Sequence, residues 1–128
     1  MLKDFDSIAT IAVKDTAVAK QFYEDILGLV PFASGQHEVL TYKTGNSKLL
    51  VYRSQYAGTN QATVCNWAVD DVVAEVKGLE AKGVKFERYD IPGVTHEGGV
   101  HVFGGDFKTA WFKDPDGNIL SIVKRSAT

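Results

Sequence analysis

The chain is predicted to be α+β, built from two successive βαβββ modules, and two observations carry this reading. Short β-favouring runs and single amphipathic helical stretches follow the order strand, helix, three strands, and that order then recurs. The recurrence extends to the residues: "IAVKD" matches "WAVDD", "LGLVPF" matches "KGVKF", and "GNSKLLVY" matches "GNILSIV". An ordered match of strand, cap, helix, glycine and hairpin points to duplication rather than to reuse of common local signals. A parallel dinucleotide-binding sheet is disfavoured, because "VKDTAV" stands where its glycine-rich phosphate turn would be.

Each element has a local cause. "SIATIAVKD" opens as a strand, and Asp15 is placed to cap the helix that follows. In "TAVAKQFYEDILG", Val18, Phe22 and Ile26 recur every fourth residue, and Ala19 and Tyr23 widen the apolar stripe. Gly28 ends that helix, and "LVPFAS" leaves it extended. "EVLTYK" and "KLLVYRS" are strands joined by the turn "TGNS". The second round is "VCNWAVDD" as a strand and "VVAEVKGLEAKG" as a helix with Val72, Val76 and Leu79 on one face. "VKFERY" exits it, and "KTAWFK" and "NILSIVK" close it around the "DPDG" turn. Module one is expected over about 5–57, a polar linker over 58–63 and module two over about 64–125, together one domain spanning 1–128.

The bulk numbers exclude several classes. The 128 residues suit one domain with its own core, and 45% apolar with 23% charged content is ordinary for a globular protein. A net charge of −2 with mixed signs gives no nucleic-acid footprint. No apolar run is long enough to span a membrane, and acids interrupt the N-terminal run where a secretory signal needs apolar residues. No membrane partner, no nucleic-acid partner and a cytoplasmic location are therefore expected. Cys65 is the single cysteine, which rules out an intrachain disulfide or a cysteine zinc cluster. In "TVCNWAV" it reads as a buried, inert thiol.

The stretches "IAVKDTAVAKQFYEDILGL", "WAVDDVVAEVKGLEAKGVKF" and "TAWFKDPDGNILSIV" together resemble the vicinal oxygen chelate superfamily, which includes glyoxalase I, extradiol dioxygenases and bleomycin-binding proteins. The "FKDPDGN" turn is the most specific element. The resemblance implies that the paired modules form a curled mixed sheet around a cavity, and that the protein is a homodimer. Metal-using members take His, Gln or Glu ligands from four strands. The matching positions here are Ile8, Val51, Val64 and Ser121, with no suitable ligand set one residue to either side. No metal and no other cofactor are therefore expected.

The cavity implied by the resemblance would be lined by Asn66, Ser121 and aromatic side chains, with Tyr42, Tyr52, Tyr89, Phe103 and Trp111 as candidate ligand contacts. Trp67 and Phe112 read as core, and His37 in "SGQHEVL" as a surface residue. The long stretch "YDIPGVTHEGGVHVFGGDF" exceeds the turn that its module needs, and reads as a lid or cavity-lining insertion. Its "VHVF" can form a short strand, with His101 turned to solvent or into the cavity according to where Val100 and Val102 pack. The spacing of His96, Glu97 and His101 fits no metal motif. Two functions follow. The first is metal-independent binding of a small aromatic or carbonyl-containing molecule, as in bleomycin-resistance proteins. The second is a lyase or isomerase with His101 or His96 as general base, oriented by Asp90, Glu97 or Asp106, and with Asn66 or a tyrosine hydroxyl steadying an oxyanion.

Overall fold

The structure, a computed structural model, describes residues 1–33 and 39–126. His37 lies outside the described residues. The strands are β1 (Ala9–Val13), β2 (Val30–Ala33), β3 (Val39–Thr44), β4 (Ser47–Arg53), β5 (Thr63–Val69), β6 (Phe86–Glu87), β7 (Thr95–Glu97), β8 (Val100–Gly104), β9 (Phe107–Lys113) and β10 (Ile119–Lys124). The helices are α1 (Thr16–Lys20), continued by a π-helical turn over Gln21–Ile26, and α2 (Val72–Glu80).

The expected α+β pattern forms two mixed sheets that do not close on each other. Sheet one has the order β1-β4-β3-β2, with β1 parallel to β4 and the other pairs antiparallel. Sheet two has the order β5-β10-β9-β8-β7, with β5 parallel to β10. β1 and β5 are the inner edges, and they pack side by side without a shared ladder.

Both helices start where a side chain satisfies free backbone donors. Asp15 accepts from the N–H groups of Ala17 (2.8 Å) and Val18 (3.3 Å), and Asp71 accepts from that of Ala74 (3.0 Å). The first helix departs from the fourth-residue stripe. Its wide π turn, with the Leu27 N–H reaching the Phe22 carbonyl, resets the buried face to Ala19, Phe22 and Tyr23. Val18 is left 46% exposed, outside the stripe to which its spacing assigned it.

The core lies between the helices and one face of each sheet. Ile11, Val13, Leu49 and Val51 line it from sheet one, and Ala110, Phe112, Leu120 and Ile122 line it from sheet two. The "DPDGN" turn between β9 and β10 ties the halves together. Asp114 accepts from the Tyr23 hydroxyl (2.7 Å), from the Asp116 and Asn118 N–H groups (2.9 Å each) and from Asn118 Nδ2 (2.8 Å). Asn118 Nδ2 also donates to the Ala12 carbonyl (2.7 Å), and the Lys14 N–H donates to Asp116 Oδ2 (3.1 Å). Burial first, and the Asp114 carboxylate second, hold the Tyr23 phenol far above its ordinary pKa. It therefore remains a donor.

Candidate functional site

The inner edges leave a cavity between the two sheets. β5 has a ladder partner on one side only, so its outer edge faces β1 and the turn of the β3–β4 hairpin across a gap. A cavity of about 320 Å³ fills that gap, lined by Ala9, by residues 44, 45 and 47–49 of the hairpin and by residues 65–68 of β5. An edge strand presents backbone N–H and C=O groups that no neighbour pairs, so part of this wall is backbone.

Asn66 and Lys48 are its chemically distinctive side chains. Asn66 pairs with Ser121 across β5 and β10, on the face turned away from α2. The buried Ser121 hydroxyl donates to Asn66 Oδ1 at 2.6 Å, which occupies the amide oxygen and leaves the NH₂ group for the cavity. Lys48 also lines the cavity, from the facing hairpin, and its ammonium lies over the Phe32 ring of β2, 4.3 Å from the centroid. An amide donor on one wall and a lysine on the facing hairpin suit a carbonyl or carboxylate oxygen. Cys65 lines the same cavity, and burial pushes its thiol up, away from thiolate chemistry. Lys48 escaped the sequence reading because "TGNSK" signals only a turn; the register that aims the turn at β5 is long-range.

The candidates from module two gather on the same face of sheet two. Trp111 lies opposite Ser121, and His101 opposite both Thr109 and His96. The His101 ring meets Trp111 edge-on at 4.8 Å, His96 at 4.6 Å and Tyr89 at 5.9 Å. The two imidazoles bracket one residue: the Tyr89 N–H donates to His101 Nε2 (2.9 Å), and His96 Nε2 lies 3.0 Å from the Tyr89 carbonyl. A carbonyl only accepts, so His96 carries its proton on Nε2. His101 accepts at Nε2, so its proton is on Nδ1, which is buried without a partner among the described residues. Burial first, and His96 second, hold His101 below the usual histidine range.

This geometry corrects the alternatives set for His101. Val100 is buried on one face of β8 and His101, at 0% exposure, on the other, so His101 points neither to solvent nor to open cavity. The "HEGGVH" stretch is an ordered β7–β8 hairpin whose second strand pairs with β9, not a detached lid.

The remaining candidates are dispersed. Tyr42 packs on the helix side of sheet one, 1% exposed, with its hydroxyl donating to Glu24 at 2.9 Å. Tyr52 is 36% exposed on the opposite face. Phe103 pairs with Phe107 at 5.3 Å on an exposed edge. Asp90, Glu97 and Asp106 are exposed, and Glu97 lies 3.5 Å from Lys108. Val51, assigned to the cavity by the resemblance, is fully buried on the helix side, because β4 pairs it with Ile11. Leu50 and Tyr52 take the opposite face instead. The residues at the family's metal positions do not fit a metal, since Ile8, Leu50 or Tyr52, Val64 and Ser121 offer no imidazole or carboxylate. Among the described residues no three His, Cys, Asp or Glu side chains converge.

A sequence model of the Glyoxalase/Bleomycin resistance protein/Dioxygenase superfamily matches residues 5–122. The chain belongs to this superfamily. Solved structures agree on the fold. A bleomycin resistance determinant encoded on transposon Tn5 superposes with a TM-score of 0.72 at 15% identity, covering 95% of this chain and 98% of that one. A lactoylglutathione lyase from Agrobacterium tumefaciens gives 0.67 at 18%, covering 94% and 92%. An antibiotic binding protein from a Streptomyces species gives 0.65 at 21%, covering 95% and 98%. No sequence among the curated proteins matches this chain. Identities this low establish the shared fold and leave the ligand to the site.

Proposed function

We propose that this superfamily member binds a small organic molecule, an aryl group bearing a carbonyl or carboxylate, in the cavity between β5 and the β3–β4 hairpin. The observation that carries the reading is the Asn66 amide, whose oxygen is tied to Ser121 so that its NH₂ group is left for the cavity that Lys48 also lines. The cavity volume of about 320 Å³ falls in the small-molecule range. The resemblance in fold to a bleomycin resistance determinant and an antibiotic binding protein supports capture of an organic ligand.

Binding is preferred over histidine-based proton transfer because His101 is sealed and its Nε2 already holds the Tyr89 N–H. A general base must reach the proton that it removes. Benzoate is a suitable probe, titrated into isotopically labelled protein and followed by NMR. The Asn66 side-chain NH₂ and the Gly45 and Ala68 amides are expected to shift saturably. Asn66→Ala and Lys48→Met are each expected to weaken binding about tenfold, the loss of one charge-assisted hydrogen bond. Absence of saturable shifts, or unchanged affinity in both variants, overturns the assignment.

A further inference from the structure

A second cavity lies on the other face of sheet two, beneath α2, and differs in chemistry from the first. It holds about 160 Å³, with Leu27 and Leu29 from the end of the first helix on one side and Trp67, Phe112, Leu79 and Glu75 among its other walls. The gap has a structural cause. α2 buries Val72 and Val76 against the sheet, but Leu79 in its last turn is only half-buried, and the helix ends at Glu80. The far part of the sheet is covered instead by Leu27 and Leu29, which do not reach across.

Glu75 is the one ionisable group in the lining, and the rest is aliphatic or aromatic. It is exposed at the rim, and its carboxylate has no hydrogen-bond or ion-pair partner among the described residues. An apolar space of this size holds one benzene-sized ring, since an engineered cavity of about 150 Å³ lined by Leu, Ile and Phe binds benzene. The indole of Trp67 offers a face to a ring or to a cation.

We propose that this cavity is a second ligand site, selective for small arylalkyl ammonium compounds: the ring enters between Leu27, Leu79 and Phe112, and the ammonium pairs with Glu75. Its charge preference is opposite to that of the Lys48 and Asn66 cavity, so the two sites take different ligand classes and stand or fall separately.

Methyl-labelled protein titrated with benzylamine, toluene and benzoate tests this. Benzylamine is expected to shift the Leu27, Leu29, Leu79 and Ile122 methyls saturably, toluene to do so more weakly, and benzoate not at all. Glu75→Gln, an exposed substitution that leaves the core untouched, is expected to weaken benzylamine about three- to fivefold and leave toluene unchanged. Leu79→Trp is expected to abolish both titrations by filling the space. No saturable benzylamine shift, or equal benzylamine affinity with and without Glu75, overturns the proposal. So does a shift of the same methyls on diluting protein alone, which would assign the pocket to a second copy of the chain.

Discussion

Replacing Tyr23 by Phe tests whether the "DPDGN" turn fastens the two halves of the molecule. The substitution keeps the ring, which packs edge-on against Phe22 at 5.1 Å and stacks with Tyr42 at 6.3 Å, so the packing contribution is retained. What is lost is a buried 2.7 Å hydrogen bond to a carboxylate. Asp114 keeps three donors, from Asp116 N–H, Asn118 N–H and Asn118 Nδ2, so the carboxylate is not orphaned. The expected cost is that of one hydrogen bond to a charged group, about 1.5–3 kcal/mol. With an unfolding entropy of about 2.1 cal/mol/K per residue over 128 residues, this lowers Tm by about 6–11 °C. Urea denaturation of the wild type, Tyr23→Phe, Asp114→Asn and the double variant isolates the pair, because the cycle cancels the damage that Asp114→Asn does to the other donors. A coupling energy indistinguishable from zero refutes the fastening role, whatever the single variants show.

Two further outcomes follow from the same structure. Gly58→Ala is expected to cost at least about 2 kcal/mol in denaturation, because Gly58 has φ of 75° and a Cβ there would overlap the carbonyl oxygen of Asp116, a backbone atom of the "DPDGN" turn; a loss within about 0.5 kcal/mol, the range of an ordinary surface change, refutes the close approach. His101 should make stability pH-dependent. Its folded pKa is lowered below 6.5, so the unfolded chain takes up the proton first, and the contribution is full above that pH and lost as pH falls from there towards the folded value. Urea midpoints measured through this window should fall more steeply for wild type than for His101→Gln, and equal slopes would remove His101 as the cause.

The parts of the molecule that local chemistry decides were legible in the sequence. Asp15 and Asp71 cap helices because a carboxylate ahead of a helical run satisfies nearby N–H groups, and this needs no tertiary information. The strand, helix, strand and final hairpin of each module followed from the repeat, while module two adds β7 and β8 between its exit strand β6 and that hairpin. Side-chain direction in later strands did not, because the parity of a strand is set by its partner. Val51 faces the helices because it pairs with Ile11, and Tyr42 does so because it pairs with Leu49. The π turn after Lys20 was equally hidden: the fourth-residue spacing of Val18, Phe22 and Ile26 is genuine, but the adjacent Phe22 and Tyr23 are both buried, and a widened turn accommodates them. "VHVF" could be read as a strand; the covering of its second face by Tyr89 and Trp111 could not, because those rings arrive from other elements.

The division of labour among the polar groups follows from sheet geometry. On the face of sheet two turned away from α2, His101 on the interior strand β8 has neighbours on both sides, and His96 on the edge strand β7 has His101 beside it. His96 donates to the Tyr89 carbonyl and His101 accepts from the Tyr89 N–H, and between them they fasten the segment leading into the β7–β8 hairpin to both of its strands. Groups engaged in this way hold structure at the expense of reactivity. At the inner edge of β5 the ladder stops, and no strand satisfies what projects across the gap. Asn66 belongs to both settings: its oxygen is tied to Ser121 within the sheet, while its NH₂ group stands at the edge with Lys48 across from it. The same amide is therefore held rigidly on one side and available on the other, which is the arrangement that orients a ligand without first having to be ordered by it.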